Sequence, residues 1–283
     1  MRNSPIISME ELQNQLVDPS LRIVDTRFLL QDVNWGSNSF ANEHIPGAVY
    51  ADLNKNLSSR VGSKTGRHPL PTEHDFVDFV QFVGISAGTH IVVYDDAFGS
   101  LAAARLWWLL RAYGFENVQV LDGSFSDWKN TGFPTTSELS LYPRGTFQGK
   151  LDPRWIVDAS IVDLARKDNS HILIDARSHD RFMGQNEIID PVAGHIPGAV
   201  NRPILDNLST DKKFKTSLTL EEEFLALLTE HKPENAILYC GSGVTACYNH
   251  LAMEIAGLSG AKVYPGSWSE WIINPLHEIA LGE

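Results

Sequence analysis

Cys240 ends an apolar, strand-like run, Ala236-Ile-Leu-Tyr239, and is followed by Gly241-Ser-Gly-Val-Thr245. A cysteine set between a strand and a helix by such a loop can act as a nucleophile. Gly241 and Gly243 let the backbone curl until several N–H groups point at the sulfur. Those donors, with the positive end of the following helix dipole, favour the thiolate, which is the reactive form. A buried, inert cysteine at a strand end is the alternative, and it has no need of a Gly-Ser-Gly turn. Cys247 lies further along the same segment without such a cradle and reads as core. If that stretch is helical, about 10 Å of rise separates the two cysteines, too far for a disulfide.

The elements that must position this loop are legible in a repeat. Arg22-Ile-Val-Asp-Thr-Arg27 recurs as Leu173-Ile-Asp-Ala-Arg177, and His44-Ile-Pro-Gly-Ala-Val49 as His195-Ile-Pro-Gly-Ala-Val200. Ile91-Val-Val-Tyr94 recurs as Ala236-Ile-Leu-Tyr239, and Leu121-Asp-Gly-Ser-Phe-Ser-Asp-Trp128 as Tyr264-Pro-Gly-Ser-Trp-Ser-Glu-Trp271. Blocks in the same order at near-constant separation indicate a tandem duplication. Apolar runs at 22–26, 91–95, 118–122, 171–175, 236–240 and 261–264 are strand candidates. They alternate with helix candidates over Thr72 to Val83, Leu101 to Tyr113, Thr219 to Glu230 and Val244 to Ala256. Ser8-Met-Glu-Glu11 and Thr219-Leu-Glu-Glu222 have the form of capping boxes. The alternation predicts an α/β fold with an open, mainly parallel sheet flanked by helices in each half. Residues 1–135 and 151–283 are the expected domains, and the Ser-, Thr-, Gly- and Pro-containing stretch 136–150 is the expected linker. Aligning Tyr94 with Tyr239 puts Asp95 where Cys240 stands, so the first domain lacks the nucleophile.

Cys240-Gly-Ser-Gly-Val-Thr245-Ala resembles the active-site loop of the 3-mercaptopyruvate sulfurtransferases, relatives of rhodanese (thiosulfate sulfurtransferase). The paired His-Ile-Pro-Gly-Ala motifs and Gly-Ser-Trp268-x-x-Trp271 are similar to the same superfamily, and the resemblance runs through nearly the whole chain. It implies two tandem rhodanese-like domains, with catalysis in the second. It also implies covalent catalysis in which Cys240 takes sulfur from a small anionic donor as a persulfide. A thiophilic acceptor (cyanide, a thiol or a protein thiol) then removes that sulfur, with no other cofactor. The backbone N–H groups of Gly241, Gly243, Val244 and Thr245 would stabilise charge on the sulfur in the manner of an oxyanion hole.

The resemblance assigns Arg181, in Asp180-Arg-Phe182, to the donor's carboxylate. It assigns Ser242 to a Ser–His–acid relay, with His68 of Arg67-His-Pro-Leu-Pro71 as the histidine and Asp52 as the acid, although Asn54 occupies the usual acid position. Arg27, Arg177, His44 and His195 occur in both halves, the inactive one included, and are read as structural. The family's second substrate arginine, before the second His-Ile-Pro-Gly, is missing from Asn186-Glu-Ile-Ile-Asp190-Pro-Val192. Loss of one charge-assisted contact weakens carboxylate binding by about 1–3 kcal/mol. Rhodaneses proper carry basic residues in the active loop, and Gly-Ser-Gly-Val has none. The balance favours 3-mercaptopyruvate slightly over thiosulfate.

Other classes fare worse. A phosphatase of this fold ends its cysteine loop in an arginine, and Ala246 stands there instead. A non-enzymatic interaction protein would not need the intact Cys240 loop. The ten histidines form no His-x-x-x-His pair and the two cysteines no Cys-x-x-Cys, so no metal site is expected. Net charge is −12, from 23 Lys+Arg against 35 Asp+Glu, which disfavours nucleic acid and anionic membranes as partners. No apolar run is long enough to span a bilayer and none of signal type follows Met1, so a cytoplasmic protein is expected.

Overall fold

A computed structural model describes residues 4–282. The chain forms two compact units, Met1–Ser59 with Leu70–Asp152, and Arg60–Pro69 with Pro153–Glu283. Ten residues from the first half of the sequence, 60–69, thus belong to the second unit.

In the first unit the order is β1 (Ile6–Ile7), α1 (Met9–Gln15), β2 (Leu21–Asp25), α2 (Trp35–Asn42), β3 (Ala48–Tyr50), α3 (Glu73–Phe82), β4 (His90–Tyr94), α4 (Ala102–Ala112), β5 (Val118–Leu121) and α5 (Phe125–Asn130). The sheet runs β1-β5-β4-β2-β3 with every pair parallel. β2 is buried along its whole length and β4 at all but its first residue, which explains their continuous apolar runs. The core joins Leu12, Ile23, Phe40, Val92 and Trp128, each large apolar side chain contributing about 1.5–3 kcal/mol by leaving water. Ser8 caps α1 as expected: its Oγ accepts from the Glu11 N–H at 3.1 Å, and Glu11 Oε2 accepts from the Ser8 N–H at 3.0 Å.

The second unit repeats the pattern with α6 (Ala159–Asp168), β6 (Ile172–Asp175), α7 (His179–Phe182), β7 (Val200–Asn201), α8 (Ser217–Leu228), β8 (Ala236–Tyr239), α9 (Ala246–Ile255), β9 (Lys262–Val263) and α10 (Ser267–Trp271). Its parallel sheet is ordered β7-β6-β8-β9. Where β1 flanks β5 in the first unit, a single parallel bridge from Ile156 to Val263 remains here. Leu173, Ile237, Tyr239, Trp268 and Trp271 centre the core.

Two sequence expectations change. Residues 136–150 are not a free linker but a strap on the first unit. The Tyr142 hydroxyl donates to Gly47 O at 2.7 Å, and the Arg22 guanidinium lies 3.3 Å from the Tyr142 ring centroid. The Gly145 and Phe147 N–H groups donate to Gln81 O and Ile85 O. An irregular segment can lie against a core when its backbone polar groups find acceptors this way. The second change is at α8, whose cap is Thr216, with Oγ1 accepting from the Thr219 N–H at 3.2 Å. Thr219 itself lies inside the helix, because the helix begins one turn earlier than its apolar pattern suggests.

Candidate active site

β8 lies between β6 and β9 and releases Cys240 at its carboxyl end, where parallel α/β sheets place their ligands. Cys240 is 1% exposed, and the Gly243 N–H donates to its sulfur at 3.1 Å. Gly243 holds φ +75°, and a Cβ there would meet Pro265 O at 2.3 Å, so both backbone and space require glycine. α9 starts at Ala246 without a side-chain cap, and the Cys247 and Tyr248 N–H groups donate to Val244 O and Thr245 O, each at 3.1 Å. Cys247 supports the loop from behind, its thiol donating to Gly243 O at 3.4 Å.

The Gly266–Ser269 turn clasps the loop from the other side. Ser267 Oγ accepts the Cys240 N–H at 3.1 Å and donates to Tyr264 O at 2.9 Å. The Trp268 and Ser269 N–H groups donate to Cys240 O and Gly241 O, both at 2.9 Å. With these carbonyls held by the turn, the Gly243 N–H is the loop donor that meets the sulfur. Ser267 is a buried non-glycine residue at φ +53°, a strained conformation kept by this set of bonds.

Segment 60–69 brings a second set of groups. Gly66 N–H donates to the Glu270 carboxylate and the Arg67 N–H to Ser269 Oγ at 3.0 Å. Burial pushes the Glu270 carboxyl up, against the hydrogen bonds from Tyr264 and Gly66. So docked, the segment places His68 Nδ1 2.8 Å from Ser242 Oγ, with both residues buried. The Arg67 guanidinium pairs with Asp190.

Arg181 comes from α7. Its Nε and Nη2 donate to the two oxygens of Glu187, each at 3.0 Å, and Nη2 also meets Asp190 Oδ2 at 3.1 Å. Burial raises the Glu187 carboxyl, but the Asp190 N–H and Arg181 outweigh it and hold its pKa below the usual carboxylate range. Burial wins at Asp190, whose pKa lies above that range despite Arg67 and Arg181. Both guanidiniums border the Cys240 loop: a Cβ on Gly241 would stand 2.9 Å from Arg67 Nη2 and 3.6 and 3.7 Å from the Arg181 nitrogens.

Sequence and structure agree on the residues set aside as structural. Arg27 and Arg177 pair with buried Asp25 and Asp175, each at 2.7 Å. His44 and His195 bond Phe40 O and Phe182 O through Nδ1 and stack on the same phenylalanine rings. Of the expected site residues in the second unit, Gly243 meets the Cys240 sulfur through its N–H, Ser242 pairs with His68, and Arg181 borders Gly241. Asp52 lies in the first, where its Oδ1 accepts the Asn54 and Lys55 N–H groups at 2.8 and 3.2 Å and Oδ2 meets Lys55 Nζ at 3.1 Å. That carboxylate caps its own turn, because Asn54 and Lys55 follow it directly. Arg67, Glu187, Asp190 and Ser267 escaped the sequence reading. The acidic Glu187 and Asp190, in the stretch noted only for its missing arginine, were the signal that guanidiniums lie nearby.

The arrangement offers a buried sulfur with an N–H donor, a hydroxyl–imidazole pair for moving a proton, and cations for an anionic reactant. Comparisons with known proteins agree with it. A family described as Rhodanese-like domain matches residues 8–131 and 158–274. The probable 3-mercaptopyruvate sulfurtransferase of Pseudomonas aeruginosa is 41% identical over 100% of both chains. The thiosulfate sulfurtransferase of Mus musculus is 34% identical over 93% of this chain and 88% of its own. Among solved structures, the 3-mercaptopyruvate sulfurtransferase from Leishmania major superposes with a TM-score of 0.83 at 31% identity, covering 95% of this chain and 74% of that one.

Proposed function

We propose, starting from the fact that this chain belongs to the rhodanese-like family, that it is a sulfurtransferase whose Cys240 carries the sulfur as a persulfide. The observation that carries the reading is the Cys240 sulfur facing the Gly243 N–H at 3.1 Å in a loop bordered by Arg181. The Cys240 thiolate attacks the donor's terminal sulfur and forms an S–S bond. With 3-mercaptopyruvate, the C–S bond breaks with its electron pair on carbon, and the donor's thiol proton ends on that carbon to give pyruvate. The Ser242–His68 pair is placed to pass this proton. With thiosulfate, the S–S bond breaks and sulfite leaves. An acceptor nucleophile, cyanide or a thiolate, then attacks the outer sulfur and frees the Cys240 thiolate.

Arg181 supports an anionic donor, 3-mercaptopyruvate ahead of thiosulfate, because a planar guanidinium matches a carboxylate. The covalent persulfide supplies the chemistry without a further cofactor. The net charge of −12 argues against nucleic acid or anionic membrane as partners. Among the described residues no helix is long and apolar enough to cross a membrane. We place the protein in the cytoplasm, in keeping with its two free thiols.

The test is steady-state transfer to cyanide from each donor, on wild type, Cys240→Ala and Cys247→Ala. Cys240→Ala loses more than about a thousandfold, the scale for removal of a nucleophile. Cys247→Ala stays within a few-fold. Equal loss in both would mean that packing, not chemistry, depends on Cys240. The ratio of the two donors' kcat/KM decides between them.

A further inference from the structure

Segment 60–69 carries three basic residues, Arg60, Lys64 and Arg67, in a chain of net charge −12. Of these, Arg67 is fixed in place. Its backbone N–H is held by Ser269 and its guanidinium Nη1 by Asp190. Its Nε is buried and meets no hydrogen-bond partner, and its Nη2 borders Gly241. A buried cationic N–H left without an acceptor is destabilising, so the placement of Arg67 calls for another purpose.

Arg181 mirrors it. Glu187 and Asp190 take its Nε and Nη2, while Nη1 has no protein acceptor among the described residues and points at the same glycine. Asp190 braces the pair, one oxygen on each arginine, and so fixes the spacing of the two guanidiniums. A side chain at residue 241 would fill the space both arginines face. Glycine there keeps that space open one residue from the nucleophile.

Building on the sulfurtransferase reading above, we propose that Arg67 is the second cation of the donor site. Its Nη2 and the Nη1 of Arg181, both facing the space beside Gly241, take the anionic oxygens of one donor, carboxylate or sulfonate, while Asp190 positions both arginines. The cation missing from 186–192 is thus supplied by a segment from the other half of the sequence. Glu187 and Asp190 hold Nε and Nη2 of Arg181, and Asp190 holds Nη1 of Arg67, which leaves Arg67 Nη2 and Arg181 Nη1 facing the space beside Gly241.

The test separates the two half-reactions in wild type, Arg67→Gln, Arg67→Lys and Arg181→Gln. One measurement is the donor concentration that half-saturates persulfide loading of Cys240. The other is the rate at which 2-mercaptoethanol, an uncharged acceptor, discharges a preloaded persulfide. Arg67→Gln should raise half-saturation by both 3-mercaptopyruvate and thiosulfate about 10- to 100-fold, the scale of one charge-assisted hydrogen bond. Discharge should stay within about twofold of wild type, as for any group that touches only the donor. Arg67→Lys keeps the charge but loses the fork, and should fall between. The proposal is overturned if Arg67→Gln loads at wild-type concentrations while Arg181→Gln does not, or if loading and discharge fall together in both Arg67 variants. A wild-type enzyme that takes sulfur from neither donor overturns the sulfurtransferase reading itself.

Discussion

Asp95 and Cys240 stand at the same place in two copies of one domain. Each follows a central strand, and beside each strand end an aspartate (Asp25, Asp175) pairs with an arginine and meets a tyrosine hydroxyl. The next turn of the repeat clasps both: Phe125 N–H donates to Asp95 O as Trp268 N–H does to Cys240 O. The loops then diverge. In the first unit Asp95 closes on itself, Oδ1 accepting the Ala97 and Gly99 N–H groups at 2.8 Å and Oδ2 those of Leu101 and Ala103 at 3.1 and 3.3 Å. In the second, the residue at the centre is a sulfur that meets the Gly243 N–H. A loop N–H directed at the side chain that follows the central strand is common to both, four on Asp95 and that of Gly243 on Cys240. One copy fills its loop with a side-chain carboxylate, and the other places a thiol sulfur there.

Exchanging the two residues is the strongest way to break this comparison. Cys240→Asp should fill the second loop with its own carboxylate and drop turnover as far as Cys240→Ala does, by more than about a thousandfold. Adding Asp95→Cys to it should restore nothing, because Asp96-Ala-Phe-Gly-Ser-Leu101 replaces Gly-Ser-Gly-Val-Thr. Sulfur transfer by that double variant would mean that any cysteine at this strand end suffices. Stability sharpens the contrast. Asp95→Ala strands four N–H groups, those of Gly99 and Ala103 buried, and should cost about 3–5 kcal/mol in urea denaturation, whereas Cys240→Ala should cost less than about 2. Equal costs would deny the carboxylate its role in holding the first loop. The smallest effect is in pH. Burial raises the Asp95 carboxyl above its usual value, even with four N–H groups bound to it. Its contribution to stability is therefore greatest below the unfolded-state pKa and is lost as pH rises through the folded one. Wild type should gain on Asp95→Asn as urea midpoints are followed down through the acid range, and a gap independent of pH would contradict this.

Much of this was legible in the residues. Long apolar runs such as Ile91–Tyr94 and Ala236–Tyr239 fall on the central strands, and the repeat identified Asp95 as the counterpart of Cys240. Short elements escaped: β1, β3 and β7 are two or three residues long, too few for a period, and depend on partners such as Val120 for Ile6. Arg181 could be found because it follows its own strand within the active half. Arg67 could not, since its importance comes from a crossing of the chain that no local pattern records. Asp52 illustrates the converse, a carboxylate near the expected place that is occupied with its own turn.

The crossing has a consequence for descent. Residues 60–69 are encoded in the copy without a nucleophile, and they sit in the unit that has one. A gene shortened to residues 153–283 would keep Cys240, Ser242 and Arg181 and lose both Arg67 and His68. On the reading proposed above, the first copy could not be shed as a spare, because its removal would take His68 from Ser242 and Arg67 from Asp190.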